Sequence, residues 1–432
     1  MSNNEYFVSL DIGTSNVKVI IAELVHDSLN IIGVGNVHSE GIRKGSIVDI
    51  DETVQSIQKA VDQAERMTGL DIHNVIVGIP GNHVSLQPCH GVVAVSTEDK
   101  EIRDEDVARV IDAAQVMPIS PEREIINIVP RQFIVDGLDE IKDPRGMIGV
   151  RLEMEGTVVT GSKTMLHNIL RCVERAGLEV ADIFLQPLAA GTIALSKDEQ
   201  SLGTAILDIG GGSTTIAVFE QGHLIATSIV PVGGDHITKD LSIGLRTTTG
   251  DAEAIKIKHG HAFYDYASEE EVFSVPIIGS DQHQQFNQLE ISDIIEVRLE
   301  EMFDLVVHEL KRLNIHDLPG GFVLSGGVAN MQGILELGQA VLQNQVRVAI
   351  PDYIGVREPQ YTTAVGLIKY AHKHAKLQGR LDRQPSASEY EGAGEHSLKK
   401  QPDSRPKQPK QPKPKQNNEE GKFKKLLGYF FE

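Results

Sequence analysis

The stretch Ala205-Ile206-Leu207-Asp208-Ile209-Gly210-Gly211-Gly212-Ser213-Thr214-Thr215-Ile216-Ala217-Val218 decides the fold. A short apolar run ends in a carboxylate, three glycines and three hydroxyl residues follow, and a second β-branched run closes the unit. That is the pattern of a tight hairpin. Such a turn suits an anion. Glycines let backbone N–H groups approach phosphate oxygens without a Cβ in the way, and consecutive amides form a concave nest for negative charge. Asp208 would itself repel a phosphate, so its expected partner is a hydrated Mg²⁺ that neutralises the phosphates.

The unit occurs twice. Val8-Ser9-Leu10-Asp11-Ile12-Gly13-Thr14-Ser15-Asn16-Val17-Lys18-Val19-Ile20 repeats the order strand, Asp-Ile-Gly, hydroxyl-rich turn, strand. A further apolar segment follows each copy, Leu29 to Val34 and Leu224 to Val230. The separation is too long for a solenoid period and points to two homologous domains facing each other across one ligand.

Size and composition agree with several domains. The chain has 432 residues and 40% hydrophobic content, more than one ordinary core of about 100–200 residues requires. No run of about 18 apolar residues offers a membrane span, and Met1-Ser2-Asn3-Asn4-Glu5 lacks the basic and apolar regions of a signal peptide. Cys89 and Cys172 have no CxxC spacing, which fits a reducing cytosol. A formal charge of −20 argues against general nucleic-acid binding. The charge is uneven: Lys399 to Lys425 holds ten Lys and Arg against three acids, a local +7 that leaves −27 on the remainder.

In chain order, Thr53 to Met67 carries apolar residues at 54, 57, 61 and 64 and stops at Gly69, which predicts an amphipathic helix. Val75 to Ile79 reads as a short strand. From His83 to Ser162 the texture changes to strands at Val92–Val95, Glu124–Val129, Arg131–Val135 and Arg151–Thr160, with a helix at Asp104–Met117, a small α+β unit inserted in the first lobe. A helix (Lys163–Ala176) and a strand (Val180–Leu185) return to that lobe, and the small residues of Gln186 to Leu195 allow close helix packing. After Val232-Gly233-Gly234-Asp235 the chain reads as helical and more polar to about Glu300, with long helical periodicity from Ile291 to Leu313. Gly321 to Met331 is a buried-strand run followed by a Ser325-Gly326-Gly327 turn, placed where an α/β sheet presents a ligand. Thr362 to Gln378 reads as the last folded helix.

Beyond Gly379 the composition collapses into Gln, Pro, Lys, Ser and Glu, which predicts a disordered linker with some polyproline character. The end breaks that pattern. In Lys422-Phe423-Lys424-Lys425-Leu426-Leu427-Gly428-Tyr429-Phe430-Phe431 a helix would place Phe423, Leu426, Leu427 and Phe430 on one stripe, with lysines beside it. Such a helix suits an anionic membrane interface, where each basic residue near the surface adds about 1 kcal/mol; the alternative is a disordered end whose apolar residues dock on the protein's own surface or in a partner's groove.

Two Asp-x-Gly hairpins, a Gln-bearing connecting helix and a Ser-Gly-Gly turn, in that order, resemble the actin, Hsp70 and sugar-kinase ATPase superfamily from Tyr6 to about Tyr370. The insertion and the basic amphipathic tail make the whole chain similar to the FtsA family of bacterial cell-division proteins. The resemblance implies an α/β, actin-like two-lobed ATPase fold with a small inserted α+β domain, a disordered linker and a C-terminal amphipathic helix. Its parts would be a first lobe of residues 1–82, 163–196 and 366–379, and an insertion of 83–162. The second lobe would take 197–235 and 300–365, with a subdomain of 236–299. The linker would be 380–420 and the membrane helix 421–432.

It further implies ATP with Mg²⁺. Asp11, Gly13, Thr14, Ser15 and Asn16 match the first phosphate motif, with Lys18 as a phosphate contact. Asp208, Gly210, Gly211, Gly212, Ser213 and Thr214 match the second, and Asp11 and Asp208 lie near the hydrated Mg²⁺. Gly326 and Gly327 match the adenosine motif, while Glu253 and Lys256 match ribose and adenine contacts. Gln186 stands where the superfamily positions the attacking water; an amide orients water but is a poor base, so hydrolysis would be slow. Partners implied are the C-terminal peptide of the tubulin-like ring protein FtsZ at residues 236–299, further copies of the chain, later division proteins, and anionic lipids. The lipids would meet Lys422, Phe423, Lys424, Lys425, Leu426, Leu427, Phe430 and Phe431 at the cytoplasmic face of the septal membrane.

Two other readings share the fold. A sugar-kinase phosphotransferase would need a catalytic carboxylate beside a sugar pocket, for which no motif stands out. A pilus-assembly adaptor shares the insertion but reaches the membrane through partner proteins, which the tail argues against. His259 and His261, like His372 and His374, are two apart and would not share a helix face as metal ligands.

Overall fold

The computed structural model describes residues 5–25, 28–43, 45–280 and 282–377. The readings placed on the linker 380–420 and on the terminal helix 421–432, Phe423 to Phe431 included, lie outside the described residues.

The chain opens with β1 (Glu5–Ile12) and β2 (Asn16–Val25), an antiparallel hairpin that sets Asp11 opposite Lys18. Strand β3 (Ser28–His38) pairs antiparallel with β2, and the short pair β4 (Ile42–Arg43) and β5 (Ser46–Ile47) leads to α1 (Ile50–Thr68). The Asp49 carboxylate accepts the Glu52 backbone N–H at 3.0 Å at the start of α1, and Gly69 ends it at φ 71°. The stripe expected at 54, 57, 61 and 64 is buried against the sheet. Strand β6 (Asn74–Ile79) then lies parallel to β1.

A second sheet interrupts this lobe. It contains β7 (Ser85–Ala94), β8 (Arg123–Val135), β9 (Leu138–Ile141) and β10 (Arg151–Ser162), in the order β7-β10-β8-β9, with α2 (Asp104–Ala113) against it. Val107, Val110, Phe133, Leu152 and Met154 form its own core. The α+β texture holds while its details differ from the sequence reading. The two strands expected on either side of Pro130 are one, because a register shift between Glu155 and Gly156 accommodates a residue with no N–H to give. The strand expected at Val92–Val95 begins at Ser85, and the helix expected to reach Met117 ends at Ala113.

Helix α3 (Lys163–Arg175) and β11 (Glu179–Leu185) return to the first sheet, whose order becomes β11-β6-β1-β2-β3. After α4 (Gln186–Ala194) and α5 (Lys197–Leu202) the pattern repeats: β12 (Thr204–Ile209), β13 (Thr214–Glu220) and β14 (His223–Val230) are antiparallel neighbours. Helices α6 (Gly234–Gly244) and α7 (Thr249–His259) follow. The region expected to be helical up to Glu300 also contains a hairpin, β15 (Val272–Pro276) with β16 (His283–Asn287), whose polar second strand carries no helical or strand period to read. Then come α8 (Gln288–Arg312), β17 (Phe322–Ser325), α9 (Ile334–Leu342), β18 (Val346–Val348) and α10 (Thr362–Leu377).

The third sheet runs β14-β13-β12-β17-β18, three antiparallel strands followed by two parallel ones, the same sequence of senses as the first sheet. The duplication seen in the two hairpins therefore extends to the whole sheet. Helix α10 packs Leu367 and Ala371 on Ile76 and Phe184 of the first sheet, and it crosses α4 closely. A Cβ at Gly366 would fall 2.3 Å from the Ala189 carbonyl oxygen, so only glycine permits that crossing. No helix among the described residues is long and apolar enough to cross a membrane.

Candidate functional site

Both hairpins turn in the same way. The Gly13 N–H donates to the Asn16 carbonyl at 3.0 Å, and the Gly210 N–H donates to the Ser213 carbonyl at 3.0 Å. Each turn leaves a carboxylate at the end of the entering strand. Asp11 on β1 has Lys18 Nζ 3.5 Å away across the hairpin, and its Oδ1 accepts from Gln186 Nε2, the first residue of α4, at 2.7 Å. Asp208 on β12 accepts from the Thr363 hydroxyl at 3.0 Å.

Among the described residues no lysine or arginine forms an ion pair with Asp208; Lys18, paired with Asp11, is the cation whose charge reaches it. Burial pushes the Asp208 carboxyl above the ordinary range and the Asp11 charge pushes it further, while Lys18 and the Thr363 bond pull weakly the other way. Two carboxylates within reach of one lysine's charge form a site short of positive charge. Among the described residues no group of three or more His, Cys, Asp or Glu forms an all-protein metal cage. A pair of carboxylates fits a hydrated Mg²⁺, which keeps several waters and takes further ligands from phosphates. The residues therefore fit the group expected of them.

The two turns meet. Ser15 Oγ donates to Asp235 Oδ1 at 3.4 Å, and the Gly234 and Asp235 N–H groups donate to the Gly210 and Gly211 carbonyls, both at 2.9 Å. Thr214 Oγ1 donates to the Val232 carbonyl at 2.9 Å, which fixes the same Gly233-Gly234 corner from the other side. Thr14 Oγ1 accepts the Gly45 N–H at 3.1 Å, and Asn16 donates to Asn36 at 2.6 Å. Thr14, Ser15 and Asn16 thus each hold a neighbouring segment.

Glu253 and Lys256 lie one turn apart on α7. Lys256 is 8% exposed, with Nζ at 2.7 Å from Glu253 Oε2 and donating to Thr238 Oγ1 at 2.8 Å and to the Gly234 carbonyl at 3.2 Å. The pair is therefore bound to the corner that holds the second turn. Gly326 follows β17 at φ 86°, where a Cβ would fall 2.4 Å from Asp208 Oδ1 and 2.5 Å from the Ile209 carbonyl. Gly326 accordingly sits beside the second carboxylate, and Gly327 follows it facing open space.

The structure brings together every candidate residue of the two hairpins, α4, α7 and the Gly-Gly turn. Sequence reasoning missed four others: Asn36, Asp235, Thr363 and Tyr361, whose hydroxyl accepts from Asn36 Nδ2 at 3.2 Å. Thr363 follows Thr362 at a helix start, where hydroxyl residues ordinarily read as caps. His259 and His261 are engaged separately, His259 stacked on Phe273 at 4.3 Å and His261 Nδ1 at 2.8 Å from the Phe263 carbonyl.

A family model described as cell division protein FtsA matches residues 205–366, and one described as the SHS2 domain inserted in FtsA matches residues 81–160. The cell division protein FtsA of Bacillus subtilis (strain 168) is 58% identical over 441 residues, covering 100% of both chains. Among solved structures, the PilM-PilN type IV pilus biogenesis complex aligns with a TM-score of 0.58 at 16% identity, over 84% of this chain and 98% of that one. MreB5 of Spiroplasma citri bound to ADP aligns with a TM-score of 0.54 at 14% identity, over 88% and 99%; it has also been solved with AMPPNP. At these identities the structural likeness is one of fold, an actin-like α/β architecture, and the SHS2 insertion of this chain rests on the family model.

Proposed function

This chain belongs to the FtsA family of cell division proteins, and from that membership we propose that it is an ATP-binding, actin-like polymer protein that anchors the FtsZ ring to the cytoplasmic membrane. The observation that carries the nucleotide part is the pair of interlocked hairpins, with Lys18 paired to Asp11 and its charge reaching Asp208 as well. The MreB5 structure holds ADP on the same fold, which supports the choice of ligand.

In this reading Gly13 to Asn16 and Gly210 to Thr214 turn backbone donors toward phosphate oxygens, and Lys18 adds a cation. Asp11 and Asp208 hold Mg²⁺ through water; the ion supplies charge neutralisation of the phosphates when bound. Gly326, Gly327, Glu253 and Lys256 face the nucleoside. Gln186 orients a water without being able to take its proton, so the chain hydrolyses ATP slowly at most and uses the step as a conformational timer. Residues 236–299 take the C-terminal peptide of FtsZ. Lys422 to Phe431 bind anionic lipid, which keeps the filament at the cytoplasmic face of the septal membrane, where later division proteins join it.

Co-sedimentation of the full chain with anionic vesicles and labelled FtsZ peptide, with and without ATP and Mg²⁺, tests this reading. The intact chain should pellet with peptide and gain from ATP. Phe423→Glu should stay in solution, and Asp208→Asn should pellet without the ATP-dependent gain. Three identical profiles would overturn the assignment.

A further inference from the structure

We propose that Thr363 is the positioning residue for the second carboxylate, the counterpart of Gln186 at the first, and that it sets the Mg²⁺ requirement for nucleotide binding. The inference rests on the nucleotide reading above and adds a residue to it.

The geometry at the first carboxylate repeats at the second. Gln186 opens α4 and donates to Asp11 Oδ1 at 2.7 Å. Thr363 is the second residue of α10 and donates to Asp208 Oδ2 at 3.0 Å. Helices α4 and α10 are in direct contact where Gly366 meets Ala189. One packed helix pair therefore presents a neutral side-chain donor from each N-terminus to each of the two duplicated carboxylates.

Asp208 depends on that donor more than Asp11 does. Asp11 has Lys18 as well, whereas Thr363 is the one side chain hydrogen-bonded to Asp208 among the described residues. The other Asp208 oxygen faces Gly326, where no side chain fits. A carboxylate that orders water around a divalent ion must hold one direction, and a hydrogen bond from outside that shell fixes it. Thr363 is itself 6% exposed and so is held in place.

The same short segment reaches the other motifs. The Pro359 carbonyl accepts the Gly326 N–H at 3.2 Å. The Tyr361 hydroxyl accepts from Asn36 Nδ2 at 3.2 Å, and Asn36 Oδ1 accepts from Asn16 Nδ2 at 2.6 Å. Residues 359–363 thus bear on the second carboxylate, the Gly-Gly turn and the first hairpin together.

The test is binding of a fluorescent ATP analogue to the full chain, titrated with Mg²⁺ and repeated in chelator, for wild type, Thr363→Val and Thr363→Ser. Thr363→Val keeps the shape and removes the donor. It should raise the Mg²⁺ needed for half-maximal binding about tenfold and leave the metal-free affinity within about twofold. Thr363→Ser should restore the wild-type requirement. Thr363→Ala provides the same readout if the valine variant melts early. Equal Mg²⁺ curves for valine and wild type, or a parallel loss with and without metal, would overturn the positioning role and leave the nucleotide site standing. A wild-type chain that binds no analogue under either condition would remove both.

Discussion

The two hairpins share a backbone and differ in charge. Each turn closes with a 3.0 Å bond from its first glycine, and each ends a strand in Asp-Ile-Gly. In the first, Asp11 faces Lys18 and Gln186; in the second, Asp208 has a single neutral donor and a carboxyl pushed up by burial and by Asp11. Duplication preserved the turn without duplicating the countercharge. The two halves together therefore lack about one positive charge, which is what a divalent ion shared with an anion would supply.

The largest effect should come from the Gly-Gly turn, which only the second half possesses. Gly326→Ala combines a left-handed φ of 86° with contacts of 2.4 and 2.5 Å to Asp208 and to backbone, so it should cost about 3 kcal/mol or more. Gly81 lies two residues past β6, and a Cβ there would meet Thr227 Oγ1 at 2.7 Å and Pro187 Cγ at 3.1 Å, side-chain atoms rather than backbone, at the expense of the Thr227 bond to the Ile216 carbonyl. Gly81→Ala should cost visibly less in the same thermal melt. Equal losses would mean that the two halves carry the same constraint after all.

The far ends of α4 and α10 are both closed by an arginine. Arg347 caps α4 by donating to the Ala194 carbonyl and grips Glu199 at 2.7 and 2.9 Å; Arg145 from the insertion caps α10 at the Lys376 and Leu377 carbonyls, 3.2 and 2.8 Å away. The Arg347 bond, helped by the Ser196 backbone, lowers the Glu199 carboxyl from 4.5 to about 2. An acid whose folded value is depressed contributes stability above its ordinary value and loses it as the pH falls toward the folded one. Arg347→Ala should therefore lower stability by about 2 kcal/mol at pH 7, and its gap from wild type should narrow between pH 4.5 and 2. Arg145→Ala should change the melt less and speed hydrogen exchange in the last turn of α10.

How much of this could be read in advance depends on range. The hairpins, the α1 stripe and the insertion were legible because each signal is local: a carboxylate before glycines, a period of 3.6, a change of texture at His83. The single strand through Pro130 was not, since its continuity depends on a register shift against β10 that passes over Arg131. The hairpin of β15 and β16 was missed because His283 to Asn287 carry almost no apolar residues. At the site, the Asp residues were evident from the repeat, while Thr363 reaches Asp208 across 155 positions of sequence. No local pattern records such a contact, because the packing of α10 on α4 creates it.

The smallest effect is also the most direct probe of the charge difference, because its two halves should have opposite signs. In chelator and without nucleotide, Asp11→Asn deprives Lys18, whose side chain is 13% exposed, of its carboxylate 3.5 Å away. That should cost about 1 kcal/mol, the usual scale for a partly exposed pair with a hydrogen-bonded neighbour. Asp208→Asn removes a carboxylate that is buried, near another carboxylate and without an ion pair of its own among the described residues, while an amide oxygen can still accept from Thr363. Its melting temperature should stay level or rise. On adding Mg²⁺ with ATP the order should reverse, since wild type gains stability from a ligand that Asp208→Asn binds less well, by an amount set by ligand concentration over affinity. If both variants fell equally in chelator, Asp208 would already have a countercharge in the free protein, and the asymmetry between the hairpins would lie in their surroundings rather than in their need for a cation.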